Sequence, residues 1–153
     1  MYIASVILLL LILPLASVYI EAARSHYALS TLFLVGRWWV FWAAGVRLFL
    51  AGLRQVVQPR FTAEEIFELT DPGTFPIVRE LGFANLSMGL LGICSVFRDG
   101  WVLPAAIVAG LYYGFAGLGH LSQKRRNAKE FTAMISDGLV FVLLLVFVIQ
   151  SLR

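Results

Sequence analysis

Charge is what this chain has least of. Only 14% of its 153 residues are Asp, Glu, Lys or Arg, whereas a soluble domain needs about 25% to cover its surface. An ordinary water-facing exterior is thereby excluded, and a lipid-facing surface is the natural explanation. Cysteine is nearly missing too. The lone Cys94 cannot close an internal disulfide, and without neighbouring Cys or His ligands it cannot build a structural zinc site. It reads as a small packed apolar residue. No Ser-centred nucleophile elbow, phosphate loop, CxxC, paired-histidine haem pattern or dinucleotide fingerprint occurs. No repeat, linker or low-complexity tract divides the chain, so residues 1–153 are expected to form one domain. The net charge of +3 is scattered over loops, and nucleic acid is not an expected partner.

What the chain does have is apolar length: 60% of its residues are hydrophobic. Five runs approach the roughly 20 residues a bilayer requires. They are Tyr2–Ile20, with Pro14 as a kink point, Leu29–Leu53, Phe75–Phe97, Trp101–Leu121 and Phe131–Leu152. The first lacks a basic n-region and is longer than a signal-peptide h-region, so it is expected to be a retained membrane helix. The expected fold is an all-α polytopic bundle of five membrane helices and one short surface helix.

The joints carry local signals. Thr62 and Glu65 form a capping-box pattern, with Phe61 and Ile66 as a hydrophobic staple, which predicts a surface helix over Ala63–Thr70. Glu64, Glu65 and Glu68 are its solvated face. Asp71-Pro72-Gly73 predicts a turn, and Pro76 suits the first turn of the next helix. Arg98-Asp99-Gly100 leaves almost no loop, so the third and fourth spans should form a tight hairpin. Asn127 and Glu130 repeat the capping pattern before the fifth span. His26 falls in a short loop and reads as solvated.

Loop charges set the expected orientation. With five spans, Arg54, Arg60, Lys124, Arg125, Arg126 and Lys129 fall on one side, and Arg24, Arg98 and Arg153 on the other. The excess marks the first side as cytoplasmic and places the N-terminus inside. Trp101 then suits an interfacial anchor at the outer face.

The informative residues are the polar ones inside the spans. A central charge costs roughly 2.5–3.5 kcal/mol on insertion scales, so such groups must pair, line a cavity or serve a function. At helical rise, Arg47 and Asp137 each lie about 9 Å from the cytoplasmic end. Arg79, Glu80 and His120 share that level, Asn85 is somewhat deeper, and Arg37 is nearer the middle. Arg47, Arg79, Glu80, Asn85, His120 and Asp137 are therefore the candidate polar cluster. Asp137 with Arg47 or Arg79 is a buried ion pair in the plainest reading, and Arg79 can instead snorkel. Glu80 with His120 is a candidate titrating pair. A metal site of Glu80, His120 and Asp137 lacks a dense ligand motif, and no metal is assigned. Arg37, with Trp38 and Trp39, suits cation–π contact, a backbone carbonyl, or a lipid or quinone headgroup.

Small residues add helix faces. Gly36, Val40, Ala43, Arg47 and Arg54 share a stripe on the second span. Gly82, Asn85, Gly89 and Gly92 share one on the third, and Ala106, Gly110, Gly114 and Gly117 one on the fourth. Such stripes let helices approach in lipid, here in packing within one chain.

At Arg79-Glu80-Leu81-Gly82-Phe83-Ala84-Asn85-Leu86 the chain resembles a family of small bacterial multi-spanning membrane proteins of unknown function. The likeness continues through Tyr112-Tyr113-Gly114-Phe115-Ala116-Gly117-Leu118-Gly119-His120-Leu121 and ends near Ser136-Asp137, about half the chain. Loosely, the architecture is similar to the DoxX-like membrane proteins, some of which accompany quinone-linked sulfur oxidation. The resemblance implies a protein of the bacterial inner membrane and brings no substrate with it. The leading expectation is a non-enzymatic membrane protein that binds a small ligand or joins a homo-oligomer or larger complex. A proton-coupled carrier using Glu80, Asp137 and His120 is the second reading, and a quinone-binding oxidoreductase partner is the third. No cofactor is named by the residues.

Overall fold

A computed structural model describes residues 2–122 and 128–153, with side chains over 3–119 and 131–153. Asn127, Lys124, Arg125 and Arg126, and the side chains of His120, Lys129 and Glu130, lie outside the described residues. Six helices and no strand occur among the described residues. Helix α1 runs as Tyr2–Ile7, Leu8–Ile12 and Leu13–Arg24, and α2 as Thr31–Trp39, Val40–Val46 and Arg47–Val57. The remaining four are α3 (Pro59–Glu65), α4 (Phe75–Cys94), α5 (Val102–Ser122) and α6 (Ala128–Ser151). All but α3 are long and apolar enough to cross a membrane.

Two of these helices contain a loosened π turn, and each has a local consequence. In α1 the turn spans Leu8–Ile12, and the Leu13 amide reaches back to the Leu8 carbonyl. Pro14 has no amide hydrogen and its ring crowds the carbonyl of Leu10, so the preceding turn widens. In α2 the turn spans Val40–Val46, and the Arg47 amide reaches the Trp42 carbonyl.

Helix α2 is the centre of the bundle. One face meets α4 through glycines. A Cβ on Gly92 would stand 2.6 Å from the Gly45 Cα, and one on Gly52 would stand 2.6 Å from the Gly82 carbonyl oxygen. Gly89 presses against the Phe49 backbone in the same way. The predicted stripe on the third span is therefore a backbone-to-backbone seam, which dispersion and close approach stabilise in lipid. The opposite face carries Gly36, Val40, Ala43 and Arg47. Gly36 lies under the Phe147 ring of α6, and Val40 and Ala43 are fully buried. Helices α5 and α6 pack together, with Gly114 against the Phe141 ring and Gly110 3.5 Å from Leu144 by the same Cβ measure. Helix α1 is peripheral: 11% of its apolar window is buried, against 28–39% for the other four.

The surface helix differs from its prediction. It begins at Pro59 and ends at Glu65. Proline at the first position presets the helical φ, so the helix starts before Thr62 can act as a cap. Thr62 instead lies inside it, buried, and its carbonyl accepts the Ile66 and Phe67 amides. Beyond it Glu68 adopts φ 56°, which no helix continues. Arg60 pairs with Glu64 at 2.8 Å, and the carboxylate raises the already high guanidinium pKa. The Asp71 turn forms as expected, its carboxylate accepting the Gly73 amide at 2.9 Å. The α4–α5 connection is two short 3₁₀ turns, Ser95–Phe97 and Asp99–Trp101.

The seam gives the first expectation. Gly92→Val gains about 1 kcal/mol of helix propensity at most but drives a side chain into the Gly45 backbone. It should lose roughly 1–3 kcal/mol of stability in detergent, or more, by SDS or thermal unfolding. Gly100→Ala, whose Cβ meets nothing within 4 Å, should stay within about 0.5 kcal/mol of the parent.

Candidate functional site

Two polar networks cross the apolar bundle. The first lies where α2, α5 and α6 meet. Arg47 Nη2 donates to Asp137 Oδ1 and to Ser136 Oγ, each at 2.8 Å. Ser136 spends its own hydrogen on the Ala133 carbonyl at 2.8 Å, which leaves its lone pair to face the guanidinium. Below it lies the Tyr113 ring, its centroid 5.2 Å from Arg47 Cζ, a cation–π distance. The Tyr113 hydroxyl is fixed in turn by donating to the Ala43 carbonyl at 2.7 Å, within the π turn of α2. Asp137 is 7% exposed. The site is thus an ion pair desolvated by three helices, with an aromatic floor and a hydroxyl that orients it.

Further along α2, Gln55 meets Asn85 of α4. Asn85 Nδ2 donates to Gln55 Oε1 at 2.8 Å in the buried seam. The Asn85 Oδ1 has no donor among the described residues. Tyr112 of α5 stands beside this amide and within the field of Arg47 and Asp137, so the two polar pairs are neighbours.

The second network lies toward the end of the bundle where α1 finishes and α4 turns into α5. Arg37 Nη1 lies 3.1 Å from Glu21 Oε1 and 3.3 Å from Asp99 Oδ1, and Nη2 donates to the Val96 carbonyl at 2.8 Å. Trp38 Nε1 donates to Glu21 Oε2 at 2.6 Å. Trp42 Nε1 donates to Ser17 Oγ at 2.9 Å. Arg37 therefore joins α1, α2 and the α4–α5 turn. It does not sit near the middle of the bundle, because Glu21 and Val96 both belong to one end. Its contact with the Val96 carbonyl is one of the roles expected of it.

The predicted cluster is therefore only partly assembled. Arg47 and Asp137 meet, and Asn85 adjoins them through Tyr112. Arg79 and Glu80 do not join them. Both are exposed on α4 and neither forms an ion pair with another described residue. His120 falls in α5, but its side chain is outside the described residues. Among the described residues no three His, Cys, Asp or Glu side chains converge to hold a metal ion. Glu21, Gln55, Ser136 and Tyr113 were not foreseen as participants. Glu21 and Gln55 each lie just beyond the predicted end of a span, in helices that continue to Arg24 and Val57.

Tyr113 also has a second neighbour. With Gly114, Gly117 and Gly138 it lines an apolar groove of about 500 Å³ between α5 and α6. Pockets for small ligands commonly hold 300–1,000 Å³. Tyr113 thus adjoins both the ion pair and an apolar groove.

The clasp around Arg37 gives the second expectation. In a double-mutant cycle, Glu21→Gln and Arg37→Gln should show a coupling of about 1–3 kcal/mol, the range for hydrogen bonds to charged groups and for directly contacting pairs. Additive losses in detergent unfolding would show that the contact does not hold α1.

No curated protein and no solved structure matches the chain. A family match does exist, and it covers residues 2–152. It thus takes in all five long helices and every residue of both polar networks. On that coverage the chain belongs to the family described as Family of unknown function (DUF6790).

Proposed function

We propose that this is a non-enzymatic multi-pass membrane protein that receives a small apolar ligand on a bundle locked by Arg47 and Asp137. The membrane would be a bacterial inner membrane, with the N-terminus and α3 on the cytoplasmic side. Support for that sidedness is the bias of Arg54, Arg60, Lys124, Arg125, Arg126 and Lys129 to one set of connections.

The observation that carries the reading is the division of labour around Tyr113. Beside its ring the charges are engaged with one another: Arg47 holds Asp137 and Ser136 at 2.8 Å. Tyr113 also lines the apolar groove between α5 and α6. Chemistry or ion passage needs polar groups that face a substrate, whereas a locked ion pair beside an apolar trough suits binding. A carrier that used Glu80 and Asp137 together would need them on one path. Glu80 is exposed on α4, and Asp137 is held by α2.

The lock makes a stability prediction. Asp137→Asn or Arg47→Gln leaves one buried charge without its counter-ion and should cost roughly 3–5 kcal/mol. The paired apolar replacement, Arg47→Met with Asp137→Leu, should recover most of that loss. Detergent unfolding measures both. If Asp137→Asn unfolds like the parent while proton or ion flux in liposomes disappears, the carrier reading replaces this one.

A further inference from the structure

We infer that α1 is a detachable strap, and that Asp99 is the spare counter-ion that keeps Arg37 paired when α1 leaves the bundle.

Three observations carry it. The first is how little apolar contact holds α1. Ile3, Ile7, Leu8, Leu11, Ile12 and Leu15 are 41–56% exposed, and 11% of the helix's apolar window is buried. Its fully buried residues, Leu10 and Pro14, lie in or just after the π turn Leu8–Ile12. The apolar anchorage is therefore one short patch in a 22-residue span. Acyl chains solvate the rest of the helix as well as its neighbours do, so lifting α1 away exposes no apolar surface to water.

The second observation is the form of the latch. Glu21 holds α2 through both carboxylate oxygens. Oε1 accepts from Arg37 Nη1 at 3.1 Å and Oε2 from Trp38 Nε1 at 2.6 Å. The bond from Trp42 Nε1 to Ser17 Oγ lies about one turn away. Two donors on α2 thus depend on one side chain of α1, and its loss releases both together.

The third observation is that Arg37 has a second carboxylate. Nη1 is also 3.3 Å from Asp99 Oδ1. Asp99 belongs to the α4–α5 turn, and its side chain is 67% exposed against 22% for Glu21. Nη2 donates to the Val96 carbonyl of the same connection at 2.8 Å. The Nε atom is buried and has no acceptor among the described residues, so the guanidinium keeps an unspent donor with which to re-aim. All of these groups stay behind when α1 moves. A buried charge stripped of its counter-ion is strongly destabilising, and Arg37 is spared that state. Two carboxylates on one guanidinium exceed what neutrality requires. The excess has a use if one of them departs with its helix.

The test uses full-length protein in lipid nanodiscs, with Cys94→Ala as the background. Spin labels are placed at Ile7→Cys of α1 and Leu90→Cys of α4, both exposed positions. Pulsed electron spin resonance reads the distance between the labels, and SDS unfolding reads the bundle. One docked distance should dominate in the parent and in Asp99→Asn. In Glu21→Gln a longer distance should gain about tenfold in population, the factor carried by one hydrogen bond to a charged group, while the bundle stays folded. Trp38→Phe takes one donor from Glu21 and leaves the ion pair, so it should shift the same equilibrium in the same direction by a smaller factor. Combining Glu21→Gln with Asp99→Asn leaves Arg37 without a carboxylate. The combined variant should unfold about tenfold or more beyond the product of the two single effects. Distances unchanged from the parent in both Glu21→Gln and Trp38→Phe would overturn the strap. Glu21→Gln unfolding as far as the combined variant, or additive losses in that variant, would overturn the role of Asp99.

Discussion

A guanidinium inside an apolar bundle dictates much of what surrounds it. Arg47 is always charged, and hydrocarbon offers it no water. The chain therefore has to bring a carboxylate, a hydroxyl and an aromatic face to one point. These come from two helices distant in sequence, Asp137 and Ser136 on α6 and Tyr113 on α5. That requirement fixes the rotation of both helices about their axes. It also fixes how far each slides along α2, since a shift of one turn, about 5.4 Å, would separate Arg47 from its carboxylate. Whether such pairs add net stability over apolar packing is system-dependent, but they specify register well.

The same helix has to satisfy a second constraint at once. Its glycine face, Gly45 and Gly52, lies within backbone contact of α4, while its Arg47 face turns to α5 and α6. The π turn over Val40–Val46 sits just ahead of Arg47. Such a turn widens the helix and re-aims the side chains beyond it. Its carbonyls are the ones that neighbours use: Ala43 accepts Tyr113, and the Gly92 approach is aimed at Gly45 and Val40. The irregularity thus coincides with the place where α2 is in demand from both sides.

Length and hydropathy made all five long helices legible, and depth counting brought Arg47 and Asp137 to one level. Glu80 misses in both depth and face. The seam sets Gly89 beside Gly45 and Phe49, and Gly82 beside Gln55, so Glu80 lies about 13 Å along α4 from the level of Arg47. At about 100° per residue, it stands roughly 140–200° from the stripe of Val78, Gly82 and Asn85, which α2 buries. The glycine stripe already contained that information. Arg79 lies at the stripe's margin and turns outward too. Glu21 and Gln55 escape notice for a different reason. A span that ends at the first polar residue after an apolar run stops short of them, yet helices α1 and α2 continue to Arg24 and Val57. A carboxylate or amide in the last turn of a membrane helix can satisfy a partner on the next one, and a hydropathy boundary hides it. The surface helix departs from expectation because two start signals compete there. Pro59 comes first and fixes φ, and the later Thr62–Glu65 pattern is absorbed into the helix it was expected to open.

The peripheral helix shows how such terminal polar groups act. Helix α1 buries little of itself, with Leu10 and Pro14 its fully buried residues. In water the hydrophobic effect would press it against the bundle. In lipid, acyl chains solvate its leucines as well as the neighbouring helices do, so that drive is lost and hydrogen bonds and close packing decide where a helix docks. Its specific attachments to α2 are polar: Ser17 to Trp42, and Glu21 to Arg37 and Trp38. Because Arg37 also holds the Val96 carbonyl and approaches Asp99, the same side chain that docks α1 fastens the α4–α5 turn. A bundle short of charge thus places two arginines of α2 ten residues, about 15 Å, apart along the helix, and each joins α2 to helices that apolar contact alone would leave free to slide.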